Sequence, residues 1–347
     1  VAHGHSVQVE TGAGLGIGYD DEAYRRAGAT VAESVERVFA EAELIVKVKE
    51  PQAAERARLK KGQTLFTYLH LAPDPAQAAD LIASGASCIA YETVTAPEDG
   101  RLPLLAPMSQ VAGRMAIQAG ARCLEKEAGG RGVLLGGVPG VRPAKVVVLG
   151  GGVVGSNAAL LALGVGADVS VLDRSIPTLE SLAARFGMAL RTVFSNRETV
   201  EEYVAAADLV VGAVLVPGGA APKLIPRALL KRMRPGSALV DVAIDQGGTA
   251  ETSRPTTHAD PIYREEGIVH YCVANMPGAV PHTSTYALNN ATLPFVLALA
   301  DKGIARALTE DAHLRAGLNI HAGQVTHPEV ARALGKPFVD PLAALDR

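Results

Sequence analysis

From Val146 onward the chain alternates short blocks of aliphatic residues with stretches whose apolar residues recur at helical spacing. Lys145–Leu149, Asp168–Leu172, Arg191–Ser195, Leu209–Leu215, Ala238–Ile244 and Ile268–Val273 read as strands. Thr178–Phe186, Glu198–Ala206 and Pro222–Met233 read as helices between them, and an Ala-Leu-rich helix follows the first strand. This alternation predicts a parallel sheet covered by helices on both faces. The first hundred residues repeat the pattern more loosely. Ser6–Glu10, Leu44–Val48, Thr64–His70 and Ser87–Tyr91 have strand character, whereas Asp21–Ala27, Ser34–Glu41 and Pro75–Ser84 have helical spacing. Two long helical stretches, Ser109–Lys126 and Ser284–Lys302, flank the more regular half, with Pro103 and Pro281 near the crossings. The expected fold is therefore α/β, with two Rossmann-like domains built on doubly wound parallel sheets. One is discontinuous, made of residues 1–103 and 283–347; the other, residues 104–282, is inserted into it.

The inserted half carries Gly150-Gly-Gly-Val-Val-Gly155 directly after the apolar run Val146–Leu149, and Asp173 closes the next apolar run. Gly150 would permit the tight strand-to-helix turn, Gly152 the approach of a pyrophosphate, and Gly155 close helix–strand packing. The amides and the dipole at the helix N-terminus favour that anion. Asp173 lies 173 − 150 = 23 positions beyond the first glycine, near the expected spacing of about 20. A carboxylate there accepts from the ribose 2′-hydroxyl of NAD and repels the 2′-phosphate of NADP. Arg174 follows and softens that exclusion, so the cofactor is read as NAD without eliminating NADP. The uncharged stretch Val146–Ala167 is long enough for a membrane span, but it contains six glycines together with Ser156 and Asn157. A spanning helix needs about 20 predominantly apolar residues without such breaks, so no span is assigned.

At 347 residues the chain is too long for one ordinary core. Its 48% hydrophobic and 20% charged content describes a globular protein, and a net charge of −3 gives no electrostatic case for nucleic acid or an anionic membrane. Cys88, Cys123 and Cys272 fit neither a disulfide framework nor a zinc motif, which points to a reducing cytoplasm. No signal peptide is visible at Val1, and the histidines form no metal pattern. His3, His5, His321 and His327 are read as solvated residues of termini and loops. The glycine-rich segment Gly129–Gly140 is either a connector or part of a site.

Four polar positions end apolar runs. Lys47 and Lys49 share one face of their strand, so periodicity does not choose between them, and both suit a solvated edge. His70 closes Leu65–Leu69; a histidine there is commonly structural, yet its ordinary pKa of about 6.5 suits proton transfer near neutrality. Asp245 precedes Gln246-Gly-Gly248, with Asp241 as the alternative if the strand interior supplies it with partners. Asn275 could bond a nicotinamide amide or cap the following helix.

Together these segments resemble the NAD-dependent L-alanine dehydrogenases, closely and along the whole chain. The likeness runs through Val46–Pro51, Thr67–Ala72, Ala90–Val94, Pro103–Ser109, Gly129–Val141, Val240–Gly248 and Cys272–Pro277. The resemblance implies that L-alanine, NAD and water are converted reversibly to pyruvate, ammonium and NADH. It implies that Lys49 contacts the substrate, that His70 is the acid/base, and that Asp245 orients polar intermediates. It also places Ser109 near the pyrophosphate, Ser195 near the adenine and Asn275 near the nicotinamide. The discontinuous domain would hold the substrate, and the assembly would be a cytoplasmic homohexamer. Family members carry a substrate-gripping arginine in a segment that would precede Val1, so a truncated start is expected. The competing readings are the NAD-binding subunit of a proton-translocating transhydrogenase and a non-catalytic NAD-binding protein. His70 and Asp245 favour the dehydrogenase.

Overall fold

In the computed structural model, which describes residues 1–97, 100–214 and 221–346, the chain divides into two units. Val1–Pro107 and Pro281–Arg347 form one, and Met108–Val280 the other. The discontinuous unit begins with a small parallel pair, β1 (Gln8–Glu10) on β2 (Thr30–Ala32). Its main sheet uses β3 (Leu44–Val46), β4 (Thr64–Thr67) and β5 (Ser87–Ala90), all parallel. The inserted unit contributes β6 (Lys145–Leu149), β7 (Asp168–Asp173), β8 (Leu190–Phe194), β9 (Leu209–Gly212), β10 (Ala238–Asp241), β11 (Ile262–Glu265) and β12 (Ile268–Tyr271). The chain then returns with β13 (Leu318–His321) and β14 (Gln324–Val325).

The seven-stranded sheet runs β11-β12-β10-β9-β6-β7-β8, parallel except for β11. Its central strands are aliphatic throughout because helices bury both faces: Val146, Val148, Val169 and Val211 face one core, Val147, Leu149, Val210 and Leu239 another. The sequence order reverses between β6 and β9, so the C-terminal ends of these neighbours open a crevice. The five-stranded sheet runs β14-β13-β5-β4-β3. β13 is antiparallel to β5, so this sheet is mixed, not wholly parallel as expected.

Several element boundaries differ for identifiable reasons. The helix expected over Pro222–Met233 is reduced to Arg227–Leu230, because Pro226 cannot continue a helix backward and sits at its N-cap. The strand expected over Ala238–Ile244 stops at Asp241, and Val242–Gln246 turns as a 3-10 helix. The expected strand Leu209–Leu215 is regular only through Gly212, and Leu215 lies outside the described residues. β2, β11, β13 and β14 were too short or too polar to show in the pattern. Pro75–Ser84 forms as expected: Asp74 accepts the Gln77 amide, Pro75 starts the helix and Gly85 ends it in the left-handed conformation. Among the described residues no helix is long and apolar enough to cross a membrane.

His321 and His327 are not solvated as expected. His321 lies on β13 against the Ser87 hydroxyl (2.8 Å), and burial lowers the pKa of both histidines. His270, on β12, is fully buried between the Thr252 hydroxyl (2.8 Å) and the Ile268 carbonyl (3.0 Å). Desolvation lowers its pKa despite the backbone contact and nearby carboxylates. Between that depressed folded value and the ordinary value of about 6.5, the unfolded chain binds the extra proton. Stability therefore rises with pH across this window and is lost as pH falls below about 6.5. Thermal melts in a pH series should show this fall, with a shallower slope in His270→Gln. An equal slope in the variant would remove His270 as a source.

Candidate functional site

In the inserted unit the glycine turn follows β6. Gly150 has φ +101°, and a Cβ there would lie 2.8 Å from the Ala213 carbonyl oxygen. A Cβ on Gly155 would fall 1.8 Å from the Gly150 carbonyl oxygen, so that helix turn admits no side chain. Gly152, the N-cap of helix Val153–Gly164, is different: nothing lies within 4 Å of where its Cβ would be. Open space beside helix-terminal amides is what a pyrophosphate needs. These residues therefore fit a dinucleotide.

Asp173 ends β7 and braces that turn. Its carboxylate accepts the Gly151 amide (2.6 Å) and the Ser175 amide (2.8 Å). The Ser195 amide, just past β8, donates to the Asp173 carbonyl (2.9 Å), which holds Ser195 at the same sheet edge. Ser109 is half-buried on the helix Ala106–Cys123. That helix packs tightly on the dinucleotide helix, for a Cβ on Gly113 would meet the Val154 carbonyl oxygen at 2.2 Å. Asn275 is exposed at φ +64° and precedes the turn Met276–Ala279 without a side-chain cap hydrogen bond, so the capping alternative is not adopted. Its carbonyl pairs with His258 Nε2 at 3.0 Å.

Asp241 and Asp245 occupy different environments. Asp241 is fully buried at the end of β10, where Oδ2 accepts the Thr249 amide (2.6 Å) and the Ser253 hydroxyl (2.5 Å). These bonds fold the segment after β10 back on the strand, and Gly247 and Gly248, both at positive φ, allow the reversal. Asp245 is exposed on the 3-10 turn so formed, beyond the strand and not at its last position as the pattern suggested. Asp241 is the structural member of the pair; Asp245 is the one presented.

In the discontinuous unit, parallel register brings three strand ends together: Val46 pairs Phe66, and Thr67 pairs Ala90. His70 lies three residues beyond the end of β4, at φ +45°, with its side chain 45% exposed. A non-glycine residue in the left-handed region costs of order 1–3 kcal/mol and persists only where neighbours enforce it. Glu92, on the turn after β5, does so by accepting the amides of Leu69 (3.1 Å) and His70 (2.6 Å). The imidazole stands between two carboxylates, with Nε2 3.6 Å from Glu50 and Nδ1 3.8 Å from Glu92. Tyr68 stacks parallel to it at 5.8 Å. Lys49 is half-exposed with Glu50 at 3.2 Å, whereas Lys47 is engaged by Glu55 at 2.6 Å and less accessible. Lys49 is thus the freer cation for an anionic ligand. The Thr67 hydroxyl donates to the Val48 and Lys49 carbonyls, fixing that segment beside His70.

Glu50 and Glu92 escaped the sequence reading as partners of His70. Each lies just beyond a strand end, within the resembling segments Val46–Pro51 and Ala90–Val94, but the register needed to bring them to His70 is not a local property.

Both units match known sequences. Residues 1–112 match the family described as alanine dehydrogenase/PNT, N-terminal domain, and residues 116–328 match alanine dehydrogenase/PNT, C-terminal domain. The alanine dehydrogenase of Halomonas elongata is 62% identical over 340 residues, covering 98% of this chain and 91% of that protein. That of Bacillus subtilis is 52% identical over 346 residues, with 99% and 91% covered. A solved L-alanine dehydrogenase has a TM-score of 0.90 at 51% identity, covering 96% of this chain and 92% of that one. A solved transhydrogenase from Sinorhizobium meliloti is more distant, with a TM-score of 0.78 at 25% identity over 94% and 91%. Through both of its units, the chain belongs to the alanine dehydrogenase/PNT family.

Proposed function

We propose that this protein is an NAD-dependent L-alanine dehydrogenase, interconverting L-alanine, NAD and water with pyruvate, ammonium, NADH and a proton. The observation that carries the reading is the likeness to alanine dehydrogenases, at up to 62% identity, along both units and not only through the dinucleotide turn. Gly150, Gly152, Gly155 and Asp173 hold the cofactor, with Ser109, Ser195 and Asn275 as its further contacts. Bound there, NAD accepts the hydride lost from the substrate Cα. Lys49 engages the substrate's carboxylate and carbonyl as a mobile point charge. His70 is the general acid/base: it takes a proton from the water that adds to the iminium carbon and returns it as ammonia leaves. Asp245 orients the polar intermediates of that sequence. On the same resemblance the working form is a cytoplasmic homohexamer, which light scattering on the purified protein checks.

Initial rates with L-alanine and NAD, and in reverse with pyruvate, ammonium and NADH, test the proposal. NAD-dependent turnover with alanine supports it. Dinucleotide binding without turnover in either direction would leave a non-catalytic NAD-binding protein instead.

Asp173 sets the cofactor. Asp173→Asn keeps the side chain's size but removes its charge, which accepts the ribose hydroxyl and repels a 2′-phosphate. A hydrogen bond to a charged group contributes about 1.5–3 kcal/mol. The expected result is a kcat/KM for NAD lowered about 10- to 100-fold, with the NADP-to-NAD ratio raised. An unchanged ratio would take Asp173 out of cofactor selection.

A further inference from the structure

The strongest unassigned feature is the carboxylate of Glu92. It is largely buried, with a side chain 14% exposed, and it receives two successive backbone amides, Leu69 and His70. Convergent amides of this kind form a small anion-binding nest, and here a side chain from the neighbouring strand end fills it. The same Oε1 that accepts the His70 amide at 2.6 Å lies 3.8 Å from His70 Nδ1. One carboxylate therefore fixes the strained backbone of His70 and faces one edge of its ring. Tyr68 limits the ring on another side; its hydroxyl donates to the Leu104 carbonyl, and burial with the Glu92 charge raises its pKa, keeping it a donor. From below, the Gln77 amide donates to the Leu69 carbonyl, so the peptide between Leu69 and His70 is held from both sides.

We infer that Glu92 is the positioning residue of the acid/base: it holds the His70 backbone in its left-handed conformation and orients the imidazole so that Nε2 is presented to substrate. The inference rests on the proposed role of His70. Glu92 touches neither substrate nor cofactor in this scheme and acts only through the histidine, as second carboxylates do where they orient a catalytic imidazole. A merely structural carboxylate would stabilise the loop and leave the rate alone.

The two roles separate in a double-mutant cycle on the full chain. Glu92→Gln retains an oxygen for the two amides but removes the charge facing Nδ1, and Glu92→Asp retains the charge on a shorter arm. The expected result for Glu92→Gln is a kcat reduced at least 10-fold with the KM for pyruvate within about 3-fold, and partial recovery of kcat in Glu92→Asp. In the His70→Asn background, where the left-handed backbone is tolerated, Glu92→Gln should reduce the residual rate no further. If His70→Asn lowers turnover at least 100-fold while Glu92→Gln keeps full kcat, the positioning role is wrong and the acid/base reading stands. If His70→Asn keeps full turnover, the acid/base reading fails and the positioning role falls with it. Additive losses in the double variant, or a fall in melting temperature with kcat intact, mark Glu92 as structural only and overturn the inference. Circular dichroism and the melting temperature serve as the folding control, because NADH binding reports on the dinucleotide turn in the other unit.

Discussion

His70→Asn is expected to lower kcat for alanine oxidation about 10²- to 10⁴-fold, the usual contribution of a positioned acid/base, while leaving NADH affinity within about 2-fold. Asparagine is chosen because the backbone at this site has φ +45°. Asparagine is one of the few residues that enter the left-handed region readily, so the substitution removes the titrating ring without adding strain. Alanine there would combine chemical loss with backbone relaxation, and a low rate would then be ambiguous. The side chain is partly exposed and its loss leaves no core cavity, so the melting temperature should stay close to that of the parent. Stopped-flow measurement of the single-turnover rate separates chemistry from product release. A rate within a few-fold of the parent would assign proton transfer to another group, and the role of Glu92 would fall with it.

What the sequence made legible was local. The strand Lys145–Leu149 and the glycine turn after it depend on residues within a few positions of each other, and the structure forms them where the pattern places them. The placing of Asp173 at the end of β7 also follows from motif spacing, whereas its contact with the Gly151 amide was not read from the sequence. The pairing of His70 with Glu92 was not legible, because it depends on Thr67 standing opposite Ala90 in two strands separated by a helix. Asp241 and Asp245 show the same limit. The run Ala238–Ile244 has the composition of one long strand, yet Asp241 captures the Thr249 amide and folds the chain back before it is completed. A buried carboxylate needing donors overrode strand propensity. The preference for Lys49 over Lys47 came from resemblance; alternation left both on one face, and what distinguishes their surroundings is the close contact of Lys47 with Glu55 and the greater exposure of Lys49.

The dinucleotide turn supports a contrast between two glycines. Gly155→Ala would put a methyl carbon 1.8 Å from the Gly150 carbonyl oxygen, a backbone atom that no rotamer change can move. The helix Val153–Gly164 must then shift away from β6, where Val148 already lies 3.2 Å from the added carbon. Overpacking of this kind costs about 1–3 kcal/mol and more where backbone is the obstacle. The melting transition of the inserted unit should fall by about 5 °C or more, and NADH binding should be lost with it. Gly152→Ala behaves differently. Its φ of −65° suits any residue, and nothing lies within 4 Å of the new methyl, so the melting temperature should be unchanged. The methyl occupies the space left for the pyrophosphate, and NADH affinity should drop at least 10-fold, about 1.4 kcal/mol. Calorimetry of the two variants, with and without NADH, distinguishes the roles: Gly155 is required by the protein's own backbone, Gly152 by the ligand. Equal stability loss in both would mean that the open space at Gly152 is closed in solution and that the pyrophosphate is held elsewhere.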